Sequence, residues 1–165
     1  MPIGSKVDDL TAQVSVGDKA PDFELPIAHG EKVRLRAPKG QKLVVYFYPK
    51  DDTTGCTKEA IDFNGLRAEF KKAGARIVGV SPDSIASHEK FARKHSLELT
   101  LASDETKAML QSYGVWVEKS MYGRKYMGVE RTTFLIDAKG LVARIWRKVK
   151  TPGHAEEVLE AVKEI

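Results

Sequence analysis

The sequence predicts an α/β fold in which helices flank both faces of a mixed central β-sheet. Three observations carry that prediction. Residues 43–48 and 75–80 are runs rich in β-branched and aromatic side chains and read as buried strands. A helical pattern lies between them, so the pair forms a parallel strand–helix–strand crossover. Residues 133–137 and 141–146 flank the turn Ala138-Lys139-Gly140 and read as an antiparallel hairpin. Parallel and antiparallel pairing therefore meet in one sheet.

Residues 1–15 read as a flexible tail and residues 16–165 as one domain. Val16-Gly17-Asp18-Lys19-Ala20-Pro21 and Ala37-Pro38-Lys39-Gly40 are loop-like and flank a short hairpin-like region. Pro49 ends the first buried strand because it has no N–H for a ladder. After the polar loop Lys50-Asp51-Asp52-Thr53-Thr54-Gly55, Cys56 opens a helix. Phe63, Leu66, Phe70 and Ala73 recur along it at helical spacing, and Gly74 is its C′ residue. Ser81-Pro82-Asp83 closes the second strand. A helix over 84–95 puts Ile85, Phe91 and Ala92 on one face, and another over 104–113 presents Met109, Leu110 and Tyr113. Thr151 caps a last helix with Pro152 at its first position. Glu156 and Glu157 suit its dipole, and Val158, Val162 and Ile165 face the core. The order strand, helix, strand, helix, helix, hairpin, helix is thioredoxin-like, though periodicity alone does not separate it from other α/β sandwiches.

At 165 residues, with 42% hydrophobic and 30% charged side chains, the chain is long enough for one domain with a sizeable core. Its net charge of +4 is modest and spread along the sequence, which gives no support to a nucleic-acid partner. The basic stretch 144–150 alternates with Ile145, Trp146 and Val149, as a strand with one solvated face does. No segment approaches the ~18 apolar residues of a membrane span. Residues 1–20 carry no apolar core of a secretory signal. A single cysteine forms no internal disulfide, and together these features predict a reducing cytoplasm.

Cys56 is that cysteine. A free cysteine is more often a small buried hydrophobe than a catalyst. In the first turn of a helix, however, it faces unpaired N–H groups and the positive end of the dipole, and both favour the nucleophilic thiolate over the thiol. Gly55, Thr57 and Lys58 beside it are not core residues, and Lys58 adds positive charge. Asp51 and Asp52 oppose a thiolate unless they point to solvent.

The spacing Pro49-x-x-x-Thr53-x-x-Cys56 resembles the active-site motif of the peroxiredoxins, thiol peroxidases on a thioredoxin fold. Ala20-Pro21-Asp22-Phe23 and Ser81-Pro82-Asp83-Ser84 with His88 and Phe91 are similar to other stretches of that family. Gly114-Val115-Trp116, Glu118-Lys119 and Gly128-Val129-Glu130-Arg131 before Thr133-Phe134-Leu135-Ile136-Asp137 resemble its bacterioferritin-comigratory, or PrxQ, branch. The match covers about residues 15–165. It implies that Cys56 is the nucleophile attacking a peroxide O–O bond and is left as a sulfenic acid, which requires an ionised, exposed sulfur. By the same resemblance Thr53 offers its hydroxyl to thiolate and peroxide, and Pro49 shields the sulfur. Arg131 favours the thiolate and orients oxygen, Glu59 supports the arginine, and Gly55 lets N–H groups approach the substrate. Without the motif, Thr53 is an ordinary helix cap, Pro49 a strand stop and Arg131 a solvated cation.

Two positions depart from the branch. Many members place a resolving cysteine five residues after the first, where this chain has Ile61, and others place one in the following helix, which here has none. The resemblance then implies that an external thiol resolves the sulfenic acid: a small thiol, a thioredoxin- or glutaredoxin-like protein, or Cys56 of a second copy. A long-lived sulfenic acid is more exposed to further oxidation. Thr54 stands where the branch often has proline. Relatives are often monomers, and the sequence leaves monomer and homodimer open.

No cofactor or metal is expected, since His29, His88, His95 and His154 show no close ligand spacing and one cysteine gives no zinc set. His88 and His95 read as surface and packing residues. Asp51-Asp52 lacks the alternation of acidic phosphotransferase loops. A cysteine hydrolase would need a histidine base beside Cys56, a role closed to the permanently protonated Arg131. The alternative from another class is a stoichiometric peroxide sensor that passes oxidation to a partner protein.

Overall fold

A computed structural model describes residues 14–36 and 40–165. The expected tail lies almost wholly outside the described residues, as do Ala37, Pro38 and Lys39 of the expected loop. In chain order the elements are β1 (Glu24–Pro26), β2 (Lys32–Arg34), β3 (Lys42–Phe47), α1 (Thr54–Lys72), β4 (Ala75–Ser81), α2 (Ile85–His95) and β5 (Thr100–Ser103). There follow α3 (Ala108–Ser112), β6 (Trp116–Met121), β7 (Arg124–Val129), β8 (Thr132–Ile136), β9 (Val142–Trp146) and α4 (His154–Lys163).

Five strands form the central sheet in the order β5-β4-β3-β8-β9. β3 pairs parallel with β4 and antiparallel with β8, which gives the expected mixed sheet. The β3–α1–β4 crossover is one of two, because β4, α2 and β5 form a second with parallel pairing. β3 is central, and its residues Leu43 to Phe47 are all buried, which is why the sequence there is continuously apolar. Alternate residues serve different halves of the core: Leu43, Val45 and Phe47 pack on one face, Val44 and Tyr46 on the other.

Helices cover both faces unequally. α1, α2 and α4 send Phe63, Phe70, Phe91, Val158 and Val162 into the cluster with Val44 and Tyr46. The other face is covered by short α3, through Met109 and Leu110, and by the β1–β2 hairpin, through Leu25 and Val33. α4 is fixed by His154, whose Nε2 lies 2.8 Å from Thr133 Oγ1 and whose ring meets Phe63 and Trp146 edge-on. Burial pushes His154 down to about 4, so it packs as a neutral ring.

Several expectations need correction. β5 and the β6–β7 hairpin are additional strands. β5 has only four residues, without a β-branched or aromatic run, and β6–β7 exposes side chains on both faces, so neither leaves a period-2 signal. The helix expected over 104–113 is confined to α3. Asp104 Oδ2 accepts the Leu110 N–H at 2.8 Å and Lys107 is left-handed at φ 65°, so residues 104–107 turn instead of coiling. Thr151 and Pro152 do not begin α4, because Gly153 at φ 75° breaks the helical path and α4 starts at His154. Ile165 lies beyond α4 and is 46% exposed.

Gly79 lies opposite Tyr46 in the β3–β4 register, and a Cβ there would sit 2.7 Å from Tyr46 Cζ and 2.8 Å from its hydroxyl. Tyr46 cannot withdraw, since its ring is stacked between Tyr48 and Phe63 at 5.5 and 4.7 Å. Gly79→Ala is therefore expected to lower the unfolding free energy in urea by about 1–3 kcal/mol. An unchanged midpoint would show that the layer beneath α1 can repack.

Candidate active site

β3 delivers the chain to Tyr48 and half-buried Pro49, and the loop 50–53 turns it into α1. Thr53 is the N-cap residue of α1 by its extended backbone, but its hydroxyl does not cap the helix; it donates to the Lys50 carbonyl at 2.9 Å. The first helical bond runs from the Thr57 N–H to the Thr53 carbonyl at 2.8 Å. The N–H groups of Thr54, Gly55 and Cys56 therefore precede the ladder, at the positive end of a 19-residue helix.

Arg131 arrives from the other end of the sequence, between β7 and β8. Its Nη2 donates to Cys56 Sγ at 3.3 Å and its Nη1 to Glu59 Oε1 at 2.6 Å. Cys56 and Glu59 are three apart on α1 and so share the face that meets the guanidinium. The arginine crosses close over Gly55, where a Cβ would lie 3.2 Å from Nη2. Glycine at this position thus makes room for the cation as well as for backbone N–H groups.

Glu59 is 2% exposed, and its Oε2 finds no partner among the described residues. Burial pushes its carboxyl up to about 7, although Arg131 pulls the other way. Burial also works against the charge of Arg131, but Glu59 and Cys56 outweigh it and hold the guanidinium above its ordinary value. Beneath them, burial followed by the negative field of Glu59 keeps the Tyr46 phenol protonated.

The expected exposure of the sulfur needs correction. Cys56 is 1% exposed and packs with Val44, Tyr46 and Phe63, because helix packing on the sheet draws the first turn of α1 inward. Approach to it is left to the surface around exposed Thr53, half-buried Gly55 and Arg131, whose side chain is 17% exposed. On the outer side of α1, a cavity of about 450 Å³ is lined by Thr53, Thr57, Lys58 and Ile61 among others. Ile61 itself is 47% exposed.

The two aspartates diverge. Asp52 turns to the surface, where His95 and Lys94 bond it at 2.9 and 2.7 Å and hold its carboxyl below the usual range. Asp51 turns inward and is buried, with Tyr48, Ser87 and His88 around its carboxylate. His88 is likewise buried at 2% exposure, which bears out the packing half of its reading as a surface and packing residue and not the surface half. Asp51, Asp83 and His88 bring ligand-type atoms within 4.8 Å of one another, but those of Asp51 and His88 are already hydrogen-bonded. The sequence hid this group because its members lie 32 and 37 residues apart.

A family model described as AhpC/TSA matches residues 16–145. A putative peroxiredoxin Bcp of Coxiella burnetii is 48% identical over 146 residues, covering 88% of this chain and 97% of that protein. Peroxiredoxin Bcp of Bacillus subtilis is 46% identical, covering 92% of this chain and 97% of that one. Among solved structures, the Xanthomonas campestris bacterioferritin comigratory protein, studied for its alkyl peroxide reduction activity, superposes with a TM-score of 0.85. It is 46% identical and covers 93% of this chain and 96% of its own.

Glu59 links the site to pH. The folded chain holds its proton up to about pH 7, against 4.5 ordinarily, so the native state binds it more tightly. That stabilisation is fully present below pH 4.5 and is lost as the pH rises through about 7. Urea unfolding of Glu59→Gln, which cannot titrate, should lack this dependence. Relative to the variant, the native protein gives up about 3 kcal/mol across that window. Parallel pH profiles for the two proteins would contradict it.

Proposed function

The chain belongs to the AhpC/TSA family as a peroxiredoxin of the Bcp/PrxQ type, and from that premise we propose how this thiol-dependent peroxidase works. Its substrates are hydrogen peroxide or organic hydroperoxides, and its nucleophile is the Cys56 thiolate. The observation that carries this reading is the single guanidinium of Arg131 placed 3.3 Å from Cys56 Sγ and held by Glu59 at 2.6 Å.

The thiolate attacks the terminal oxygen of ROOH and the O–O bond breaks. That oxygen stays on sulfur with its hydrogen as Cys56–S–OH. The bond pair leaves with RO⁻, which takes a proton from water to give alcohol or, from hydrogen peroxide, water. Arg131 stabilises the thiolate and the incoming oxygen. Thr53 has its own proton committed to the Lys50 carbonyl, so its oxygen accepts the peroxide O–H and orients it. The unladdered N–H groups of Thr54, Gly55 and Cys56 bear on charge that develops at the leaving oxygen. Pro49 keeps bulk water from the sulfur.

With no second cysteine in the chain, an external thiol attacks the sulfenic sulfur, expels water and leaves a mixed disulfide that a further thiol cleaves. The reductant is a small thiol or a thioredoxin- or glutaredoxin-like protein. A lone reduced cysteine suits the cytoplasm. Cys56, Glu59 and Arg131 all come from one copy, which supports a site complete in the monomer.

Intact mass after one equivalent of hydrogen peroxide, in the presence of dimedone, should show one adduct on Cys56. Cys56→Ser should consume no peroxide. Arg131→Ala should react about 10²–10³-fold more slowly, as loss of a preorganised donor does. Fast peroxide consumption by Cys56→Ser would end the assignment. A wild-type protein that stalls after one equivalent with thiol reductants present would be a sensor instead.

A further inference from the structure

Three polar side chains converge on the carboxylate of Asp51, inside the loop that leads to Cys56. The Tyr48 hydroxyl donates to Oδ1 at 2.6 Å, and the Ser87 hydroxyl donates to Oδ2 at 2.8 Å. His88 Nδ1 lies 2.7 Å from the same Oδ2. The other ring nitrogen of His88, Nε2, is 3.0 Å from the Ala102 carbonyl. A carbonyl only accepts, so the Nε2–H donates to it. The Asp51 backbone N–H donates to Asp83 Oδ2 at 2.9 Å. The loop is thus tied to the end of β3, to the segment after β4, to α2 and, through His88, to β5. Asp51 is 7% exposed and His88 2%, so solvent cannot replace these bonds.

We propose that Asp51 and His88 are positioning residues for the peroxide step, a buried latch that holds the 50–53 loop closed over Cys56. The path from latch to chemistry is short. Asp51 follows Lys50, whose carbonyl takes the Thr53 hydroxyl proton and leaves the Thr53 oxygen free to accept from the peroxide. When the latch opens, that carbonyl moves, the hydroxyl loses its fixed acceptor, and the first turn of α1 loses its cover. Peroxide reactivity then falls while access to the sulfur rises. A group that merely adds stability would not move these two quantities in opposite directions.

This inference rests on the peroxidase reading, and two assays keep them separable. One follows reduced protein mixed with hydrogen peroxide; the other follows alkylation of Cys56 by iodoacetamide, which needs an accessible thiolate but no peroxide chemistry. In Asp51→Asn, where an amide faces the donors, peroxide should react about tenfold or more slowly. Iodoacetamide should react about tenfold faster, well below the melting temperature. His88→Gln, which keeps a donor toward Asp51, should lie between wild type and His88→Ala; if Asp51→Asn fails to fold, these two variants give the same readout. Should the variants fold and keep both rates within about twofold of wild type, with only the melting temperature lowered, the latch is structural and the proposal fails. A wild-type protein inert to peroxide would sink the peroxidase reading, while the alkylation arm would still decide whether the latch covers Cys56.

Discussion

The site depends on one guanidinium reaching one sulfur across 75 residues of sequence, and sheet register makes that possible. β8 lies antiparallel beside β3 with Thr132 opposite Phe47. The residue before Thr132 is therefore set at the end of β3 from which the chain turns into α1. Arg131 needs no long loop to find Cys56, because the ladder fixes its backbone position. A slip of one residue would send every side chain of β8 to the opposite face, and with them the contacts of Phe134 and Leu135 in the two halves of the core. The same hydrophobic alternation that builds the core thereby aligns the chemistry.

Holding that guanidinium costs the fold a buried carboxylate. Glu59 keeps one oxygen on Arg131 and leaves the other without a partner among the described residues, a condition that is expensive in an apolar interior. The stacked layer of Tyr46, Tyr48 and Phe63 below α1 offsets that cost by packing the helix firmly on the sheet. An exposed arginine could not replace this arrangement, because a solvated cation samples many rotamers and lends little to any one partner.

The sequence made legible what periodicity and local chemistry encode. β3, β4, α1 and the β8–β9 hairpin stand out because each carries a long apolar signature or a clear turn. Cys56, Thr53, Glu59 and Arg131 could be named because a spacing motif and a family resemblance point to them. β5 is too short to leave a pattern, and the exposed β6–β7 hairpin turns at Tyr122-Gly123, both at positive φ, with no buried face to mark it. The length of α3 depends on Asp104 reaching Leu110, which no propensity reveals. The inward turn of Asp51 and the burial of His88 depend on how α2 packs against a loop about thirty-five residues earlier, and the near-complete cover of Cys56 on how α1 packs on the sheet. Local sequence holds no signal for such packing.

Ile61 lies on the outer side of α1 while Cys56 is buried on the inner side. Five residues along an α-helix amount to about 140° of rotation and about 7.5 Å of rise. Cysteines so placed could not bond without unwinding the helix between them. On the proposed function, with isoleucine at this position, oxidation and reduction at Cys56 would demand no unwinding of the helix between these two positions. The pace of the proposed cycle would then pass to whatever governs the arrival of the next thiol at a buried sulfur.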